Sequence, residues 1–169
     1  MTVNVNDAHQ LARVLSQLGA GRDAQPSIED YANLLQLLVD VSFEMLLLVD
    51  VQGRVRYCNQ NTCDALGSDA QDIVGQSLRV LTHQPDHQLV DHLIAATAES
   101  SVNPASIELR LNSKREANQF LWVQISASRM NTDNTGPSVP PVICLSAKDI
   151  SAQKRAEAEV ERQFSQDNL

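Results

Sequence analysis

The chain has 169 residues, which is enough for one domain of ordinary size with flanking helices. Its net charge of -8 argues against nucleic-acid binding, because a surface that neutralises phosphates needs clustered Lys and Arg. The longest apolar stretch, residues 34–51, is interrupted by three acidic residues, so no membrane segment is predicted. The N-terminus also lacks the pattern of a signal peptide, and we expect a cytoplasmic protein.

The first two predicted elements are helices. Asp7 is placed to cap a helix over residues 7–18, in which apolar residues recur at helical spacing. Ser27 opens a second helix over residues 27–41, and its apolar stripe is wider than one packing face needs. We interpret this stripe as buried on two sides, one against the domain and one against another chain. Residues 1–44 are therefore predicted to form an N-terminal helical extension.

A hairpin and two short helices are predicted next. Gly53 supplies the positive φ that a tight turn between two strands needs. Gly67 and Gly75 are each placed to end a short helix. The two strand-like and two helical segments cover residues 46–50, 54–58, 61–66 and 70–74.

A longer helix is predicted over residues 84–100, with Pro85 in its first turn and Asp86 at the positive end of its dipole. Its expected buried face comprises Leu89, Val90, Leu93, Ile94 and Ala96.

Three strands and a charged helix complete the chain. In the longest strand, the expected inward residues Leu121, Val123, Ile125 and Ala127 alternate with an outward set that includes Trp122 and Met130. The polar, proline-rich residues 131–141 are expected to form a mobile loop. This order of elements favours an α+β fold with an antiparallel sheet. The strands are predicted at residues 106–111, 120–130 and 142–148, and the charged helix at 151–163.

Four motifs, in this order, resemble those of the PAS sensor family: "LLLVDVQGRVRYCNQN", "DALGSDAQDIVGQSL", "FLWVQISASRM" and "KDISAQKRAEAEV". The resemblance covers about residues 46–160. It implies a PAS fold, namely a five-stranded antiparallel sheet with short helices on one face, N-terminal helices and a C-terminal exit helix. The implied domains are a helical extension (1–44), a PAS domain (45–150) and a linker helix (151–169). In this family the hairpin and the following helix wall a sensing pocket, so a small-molecule ligand is expected.

The resemblance also implies a function. It predicts a sensory and dimerisation module of a bacterial signal-transduction protein that transmits a ligand or redox signal through Asp149 and Ile150 to an output domain. The C-terminal "RQFSQDNL" resembles the junction that leads into a GGDEF diguanylate cyclase domain, which is therefore the expected output. The chain itself has no catalytic motif and is not expected to be an enzyme. A homodimer through the N-terminal and C-terminal helices is expected.

Two alternatives stay open at this point. One is a ligand-free structural dimerisation domain of a sensor histidine kinase. The other is a haem-binding PAS sensor of gas or redox state, with His87 as the iron ligand. In haem-binding PAS sensors the ligating histidine lies about nine residues before an A-T-G-E-like helix end, and His87 has this spacing from "ATAE". The tyrosine that often follows three positions later is replaced by Val90.

No other cofactor or metal is predicted. A flavin is not expected, because "NQNTCDALG" lacks the arginine and glutamine of the N-C-R-F-L-Q motif of flavin-binding relatives. Cys63 is interpreted as a core thiol, and all three cysteines as free thiols in a reducing compartment. Zinc is not expected, because helical angles and Pro85 separate the three nearby histidines, His83, His87 and His92.

Overall fold

The computed structural model describes residues 33, 36, 37, 39, 44–99, 106–116, 119–130 and 141–168. The chain divides into two compact units, Met1–Phe43 and Glu44–Leu169. In the first unit the four described residues are helical. The predicted helix over residues 7–18, most of the helix over residues 27–41 and nearly all of the predicted loop at 131–141 lie outside the described residues.

The second unit is built on one five-stranded antiparallel sheet with the strand order β2-β1-β5-β4-β3. The five predicted strands agree with the structure to within one residue at each end, and the predicted α+β fold is confirmed. The strands are β1 (Met45–Asp50), β2 (Val55–Cys58), β3 (Ile107–Asn112), β4 (Phe120–Met130) and β5 (Val142–Asp149).

The turn between β1 and β2 is held by the carboxylate of Asp50. Gly53 has the predicted positive φ, 82°, and its N–H donates to the Asp50 carbonyl oxygen at 2.9 Å. Asp50 Oδ1 accepts from the N–H groups of Gln52 and Arg54, and Oδ2 accepts from the Arg56 guanidinium. Burial alone would raise the pKa of Asp50, but these hydrogen bonds outweigh burial and lower it.

Short helices cover one face of the sheet, and a longer helix leaves after β5. Asn59 Oδ1 caps the first of these helices by accepting from Thr62 N–H at 3.1 Å, and Gly67 ends it with a φ of 66°. None of the described helices combines the length and apolar character needed to cross a membrane. The helices are α1 (Gln60–Leu66), α2 (Ala70–Ile73), α3 (Leu78–Leu81), α4 (His87–Glu99, after a 3₁₀ turn at Gln84–Asp86) and α5 (Ser151–Asp167).

The core is mainly aliphatic and lies between the sheet and α1–α4. The four expected inward residues of β4 are all buried, whereas Met130 on the other face is 46% exposed.

The predicted buried face of α4 is wrong at Leu89, which is 45% exposed. The buried stripe instead runs through Val90, Leu93, Ile94 and Thr97, at the i, i+3, i+4 and i+7 spacing of one helix face. Thr97 satisfies its hydroxyl by donating to the Leu93 carbonyl oxygen at 2.7 Å.

Residues 75–86, which we call the edge segment, contact both edge strands of the sheet. At β2, Val55 N–H donates to the Gln76 carbonyl oxygen at 2.9 Å. At β3, His83 N–H donates to the Arg110 carbonyl oxygen at 2.9 Å. Backbone groups that would otherwise be open at the two edges are therefore paired within the chain.

Candidate functional site

A buried ion pair joins the 3₁₀ turn before α4 to β3. Arg110 Nε and Nη2 each donate to the Asp86 carboxylate at 2.8 Å, and so does the Arg110 backbone N–H. The Asp86 side chain is 9% exposed and that of Arg110 is 23% exposed. The hydrogen bonds from Arg110 hold the pKa of Asp86 below its usual value, and Asp86 raises the pKa of Arg110. Asp86 therefore stays ionised and fixes the position of the guanidinium.

The Arg110 guanidinium lies over two aromatic rings of β4. Its Cζ is 5.0 Å from the ring centroid of Trp122 and 5.6 Å from that of Phe120. Trp122 lies directly opposite Arg110 in the β3–β4 register. Cation–π attraction at such distances contributes about 0.5–2 kcal/mol. The outward ring of Trp122, which sequence alternation leaves without a partner, thus packs against a cation from the neighbouring strand.

Trp122 also contacts the beginning of α5. The backbone N–H of Trp122 donates to Ser151 Oγ at 3.0 Å, and its backbone carbonyl oxygen accepts from the Ile150 N–H at 2.9 Å. Lys154 Nζ lies 5.1 Å from the Trp122 ring centroid. These contacts hold the first turn of α5 against β4.

Lys154 extends this docking to β3. Its Nζ is 2.5 Å from Glu108 Oε2, and this hydrogen bond is the main reason that the pKa of Lys154 is raised. Asp86, Arg110, Trp122 and Lys154 therefore form a continuous series of contacts, which we call the coupling network. It runs from the start of α4 across β3 and β4 to α5.

His87, the iron ligand of the haem alternative, directly follows Asp86 and has both ring nitrogens engaged. Nδ1 accepts from Arg79 Nε at 3.3 Å, and Nε2 is 3.0 Å from the Thr82 carbonyl oxygen. The two contacts are compatible with one neutral tautomer, in which Nε2 donates and Nδ1 accepts. This arrangement leaves no ring nitrogen free for iron, so His87 would have to break one hydrogen bond to become a ligand. His92 is exposed.

Two of the three cysteines are in contact. Cys58, at the end of β2, and Cys63, in α1, are each 7% exposed, and their Sγ atoms are 3.8 Å apart. Burial and the neighbouring Cys63 raise the pKa of Cys58 to about 12, so Cys58 keeps its proton. Burial also raises the pKa of Cys144 in β5. All three are free thiols, and the predicted core position of Cys63 is confirmed.

Three open clefts are candidate ligand sites on the described surface. The first, of 410 Å³, lies beside α1 and is lined by Cys63 and Arg115 among others. The second, of 220 Å³, lies between the β1–β2 turn and α4, and the third, of 610 Å³, is lined by His83 and Gln119 among others. His87 lines none of these three clefts. Among the described residues, no three His, Cys, Asp or Glu side chains are grouped as metal ligands would be.

The residues that dock α5 are largely those that sequence reasoning missed. Alternation along β4 identified Trp122 as an outward residue in need of cover. The position of Arg110 opposite Trp122 depends on the β3–β4 register, and its partner Asp86 lies 24 positions earlier in the chain. The sequence predicts that Asp86 interacts with the dipole of its own helix, but in the structure its carboxylate accepts three hydrogen bonds from Arg110.

The described part of the chain is thus an α+β module, in which an antiparallel sheet is covered on one face by short helices and contacts an exit helix on the other. A family model described as PAS domain matches residues 44–152. The chain therefore belongs to the PAS domain family, and it is a sensory module rather than a catalytic one.

Solved PAS structures have the same fold. The PAS domain of an HTR-like protein from Haloarcula marismortui gives a TM-score of 0.61 at 19% identity, covering 73% of this chain and 94% of that chain. A PAS domain from a two-component sensor histidine kinase gives 0.59 at 14% identity, covering 73% and 99%. A domain of a sensory box sensor histidine kinase/response regulator from Geobacter sulfurreducens gives 0.58 at 16% identity, covering 75% and 100%. No curated protein matches the chain significantly.

Proposed function

We propose that this PAS domain is the sensory and dimerisation module of a bacterial signal-transduction protein and passes a ligand or redox signal to a diguanylate cyclase. The observation that carries the proposal is the coupling network, which joins the helical face of the sheet to α5. The resemblance of "RQFSQDNL" to the junction before GGDEF domains supports a cyclase as the output domain.

The coupling network supplies a physical path for transmission. α5 has no buried residue along its 17 positions, and its bonds to the sheet come from Ile150, Ser151 and Lys154 at its start. The helix beyond this turn is about 20 Å long, at about 1.5 Å per residue. A small shift of Trp122 or Arg110 therefore changes the direction in which α5 leaves the domain. Two such arrangements, biased by a signal, would be the two output states.

Dimerisation is proposed to use an apolar stripe on α5. Ala156, Val160 and Phe164 recur every four residues, and Val160 and Phe164 are 51% and 67% exposed. So short a stripe is marginal in an isolated helix and becomes stable when the stripe of a second copy covers it. The N-terminal helices are the second proposed contact between copies.

A charge in the centre of this stripe tests the proposal. In the full-length parent, Val160→Glu should leave the PAS core folded, because Val160 is exposed, while weakening self-association and altering the rate of cyclic di-GMP synthesis from GTP. Ala158→Glu is the matched control, since it adds the same charge to the opposite side of the helix. Analytical ultracentrifugation and product formation are measured for both variants. Equal behaviour of both variants and the wild type would show that α5 does not carry the signal.

A histidine kinase is the second candidate for the output domain. Two of the similar structures come from proteins whose names include sensor histidine kinase, which favours this alternative. Incubating the parent with GTP and, separately, with radiolabelled ATP distinguishes the two, because a cyclase releases a cyclic dinucleotide whereas a kinase labels its own histidine. Native mass spectrometry of this PAS domain then tests the ligand-free alternative, since a retained small molecule contradicts it.

A further inference from the structure

The geometry around Cys58 and Cys63 brings two thiols together at a rigid corner of the fold. The Sγ atoms are 3.8 Å apart, and a disulfide requires about 2.05 Å. Between the two cysteines, Asn59 fixes the backbone: its Oδ1 accepts from the N–H groups of Leu46 and Thr62, and its Nδ2 donates to the Glu44 carbonyl oxygen. Bond formation requires rotation of the two side chains and, for the remaining distance, a small displacement of α1 relative to β2.

Of the two thiols, Cys63 alone lines one of the three clefts described above. Cys63 is part of the lining of the 410 Å³ cleft beside α1, whereas Cys58 is not. A small oxidant can therefore approach Cys63 while Cys58 stays behind it. The raised pKa of Cys58 keeps that thiol protonated, and Cys63 is the thiol that lines the cleft, so a peroxide in the cleft meets the Cys63 sulfur first.

We propose that Cys58 and Cys63 form a reversible disulfide when a hydroperoxide reaches the cleft beside α1, so that the domain detects oxidant with its own sulfur atoms. In the first step the Cys63 sulfur attacks the peroxide: an S–O bond forms, the O–O bond breaks, and the proton of the Cys63 thiol passes to the leaving oxygen. In the second step the Cys58 sulfur attacks the Cys63 sulfenic acid: the S–S bond forms, the S–O bond breaks, and water leaves with the Cys58 proton. The two thiols lose two electrons, which reduce the peroxide.

The position of the pair connects it to the sheet. Cys58 lies opposite Leu47 of β1, and Leu47 lies opposite Leu145 of β5. Closing the disulfide pulls the first turn of α1 towards β2, and β5 leads directly into α5. That this movement serves as the input signal rests on the proposed function, whereas formation of the disulfide does not.

Peptide mapping of the 169-residue chain tests the disulfide directly. The reduced protein is freed of reductant, treated with hydrogen peroxide, alkylated with iodoacetamide under denaturing conditions and digested with trypsin. Both thiols of the pair fall in one peptide, residues 57–79, and Cys144 falls in another, residues 130–148. We expect peptide 57–79 to lose two hydrogens and to escape alkylation, and to regain both alkyl groups when dithiothreitol precedes alkylation.

Three other results would overturn the disulfide: alkylation of both thiols after peroxide, addition of oxygen without loss of hydrogen, or a cross-link to Cys144. Cys144→Ala is the matched control and should close the disulfide like the wild type. Cys58→Ala should instead accumulate oxidised Cys63. If Cys58→Ala does not fold, the peptide map of the peroxide-treated wild type alone decides whether the disulfide forms.

A second measurement separates this inference from the proposed function. Hydrogen exchange of residues 151–167 is compared in the reduced and the disulfide forms, and we expect a change in α5. Unchanged exchange in a protein with a closed disulfide would overturn the role of the pair as an input. Failure of the disulfide to form would overturn the pair itself, while the Val160→Glu test of signal transmission would still decide the proposed function.

Discussion

Removing the carboxylate of Asp86 is the sharpest test of the coupling network. Asp86→Ala deletes the acceptor of three hydrogen bonds from Arg110, each 2.8 Å long. It leaves a guanidinium whose side chain is only 23% exposed without its ion-pair partner. The expected result is a large loss of stability, because an unpaired charge is then held where water has limited access.

The magnitude follows from this burial. Breaking a buried ion pair by removing one partner costs about 3–5 kcal/mol, and the remaining exposure of Arg110 places this case at about 3 kcal/mol. For a domain of this size that corresponds to a fall in Tm of roughly 10–15 °C. Asp91→Ala is the matched control, because it removes an exposed ion pair with Arg79 at 3.3 Å. Exposed pairs contribute about 0–1 kcal/mol.

Urea unfolding of each variant, with the double variant Asp86→Ala/Arg110→Met, measures these free energies. Methionine keeps an apolar stem against Trp122 without leaving a buried charge, so the double variant should be more stable than Asp86→Ala. If Asp86→Ala loses no more stability than Asp91→Ala, the pair does not hold the network together.

The pH dependence gives an independent check on the same pair. Because the pKa of Asp86 is lowered in the folded state, its contribution is present above about pH 4 and is lost as the pH falls through the folded value. The wild type and Asp86→Ala should therefore differ in stability at pH 7 and converge in acid. Curves that stay parallel down to the acid transition would contradict the assignment.

Three further predictions concern other parts of the chain. Gly67→Ala should lower the free energy of unfolding in urea by about 2–3 kcal/mol, because a Cβ at φ 66° would lie 2.8 Å from the Arg115 side chain. At Gly75 a Cβ meets nothing within 4 Å, so Gly75→Ala should lower it by only about 1–2 kcal/mol, and equal losses of stability would refute this reasoning. Deleting residues 1–43 should give a monomer or an aggregating protein in sedimentation, and a dimer of unchanged stability would contradict the proposed N-terminal contact. Protein expressed with a haem precursor should be colourless, because both ring nitrogens of His87 are already hydrogen-bonded. A red protein that loses its colour in His87→Ala but keeps it in His92→Ala would establish the haem alternative.

The fold could be predicted because its signals are local. In β4, inward Val123 and outward Trp122 alternate with period two, and this period sets both the strand and its faces. Glycines at positive φ, such as Gly67, mark where the short helices end. α3 was missed because its C-cap is Thr82 and no glycine marks its end, unlike α2, which has the same length and is followed closely by Gly75. The place of α3 depends on Leu78, which is buried and whose N–H donates to the Gly53 carbonyl oxygen at 2.8 Å.

The site could not be predicted in the same way, because its contacts join distant parts of the chain. Lys154 in α5 forms a salt bridge with Glu108 in β3, and neither position has a local sequence pattern that identifies the other. The spacing before "ATAE" identified His87 as the candidate iron ligand of the haem alternative. It could not show that Arg79 and Thr82 already engage both of its ring nitrogens.

The edge segment has a consequence for how this domain fails under stress. Val55 of β2 and Arg110 of β3 lie on opposite edges of the sheet, yet both pair with residues 75–86. If this one segment detaches or is cut by a protease, backbone groups of both edge strands therefore lose their partners at the same time. Each bare edge is a template for a strand of another molecule, so the resulting species can add partners in two directions and grow into a fibre. Aggregation should accordingly begin with the loss of a connecting segment, while the strands themselves are still intact.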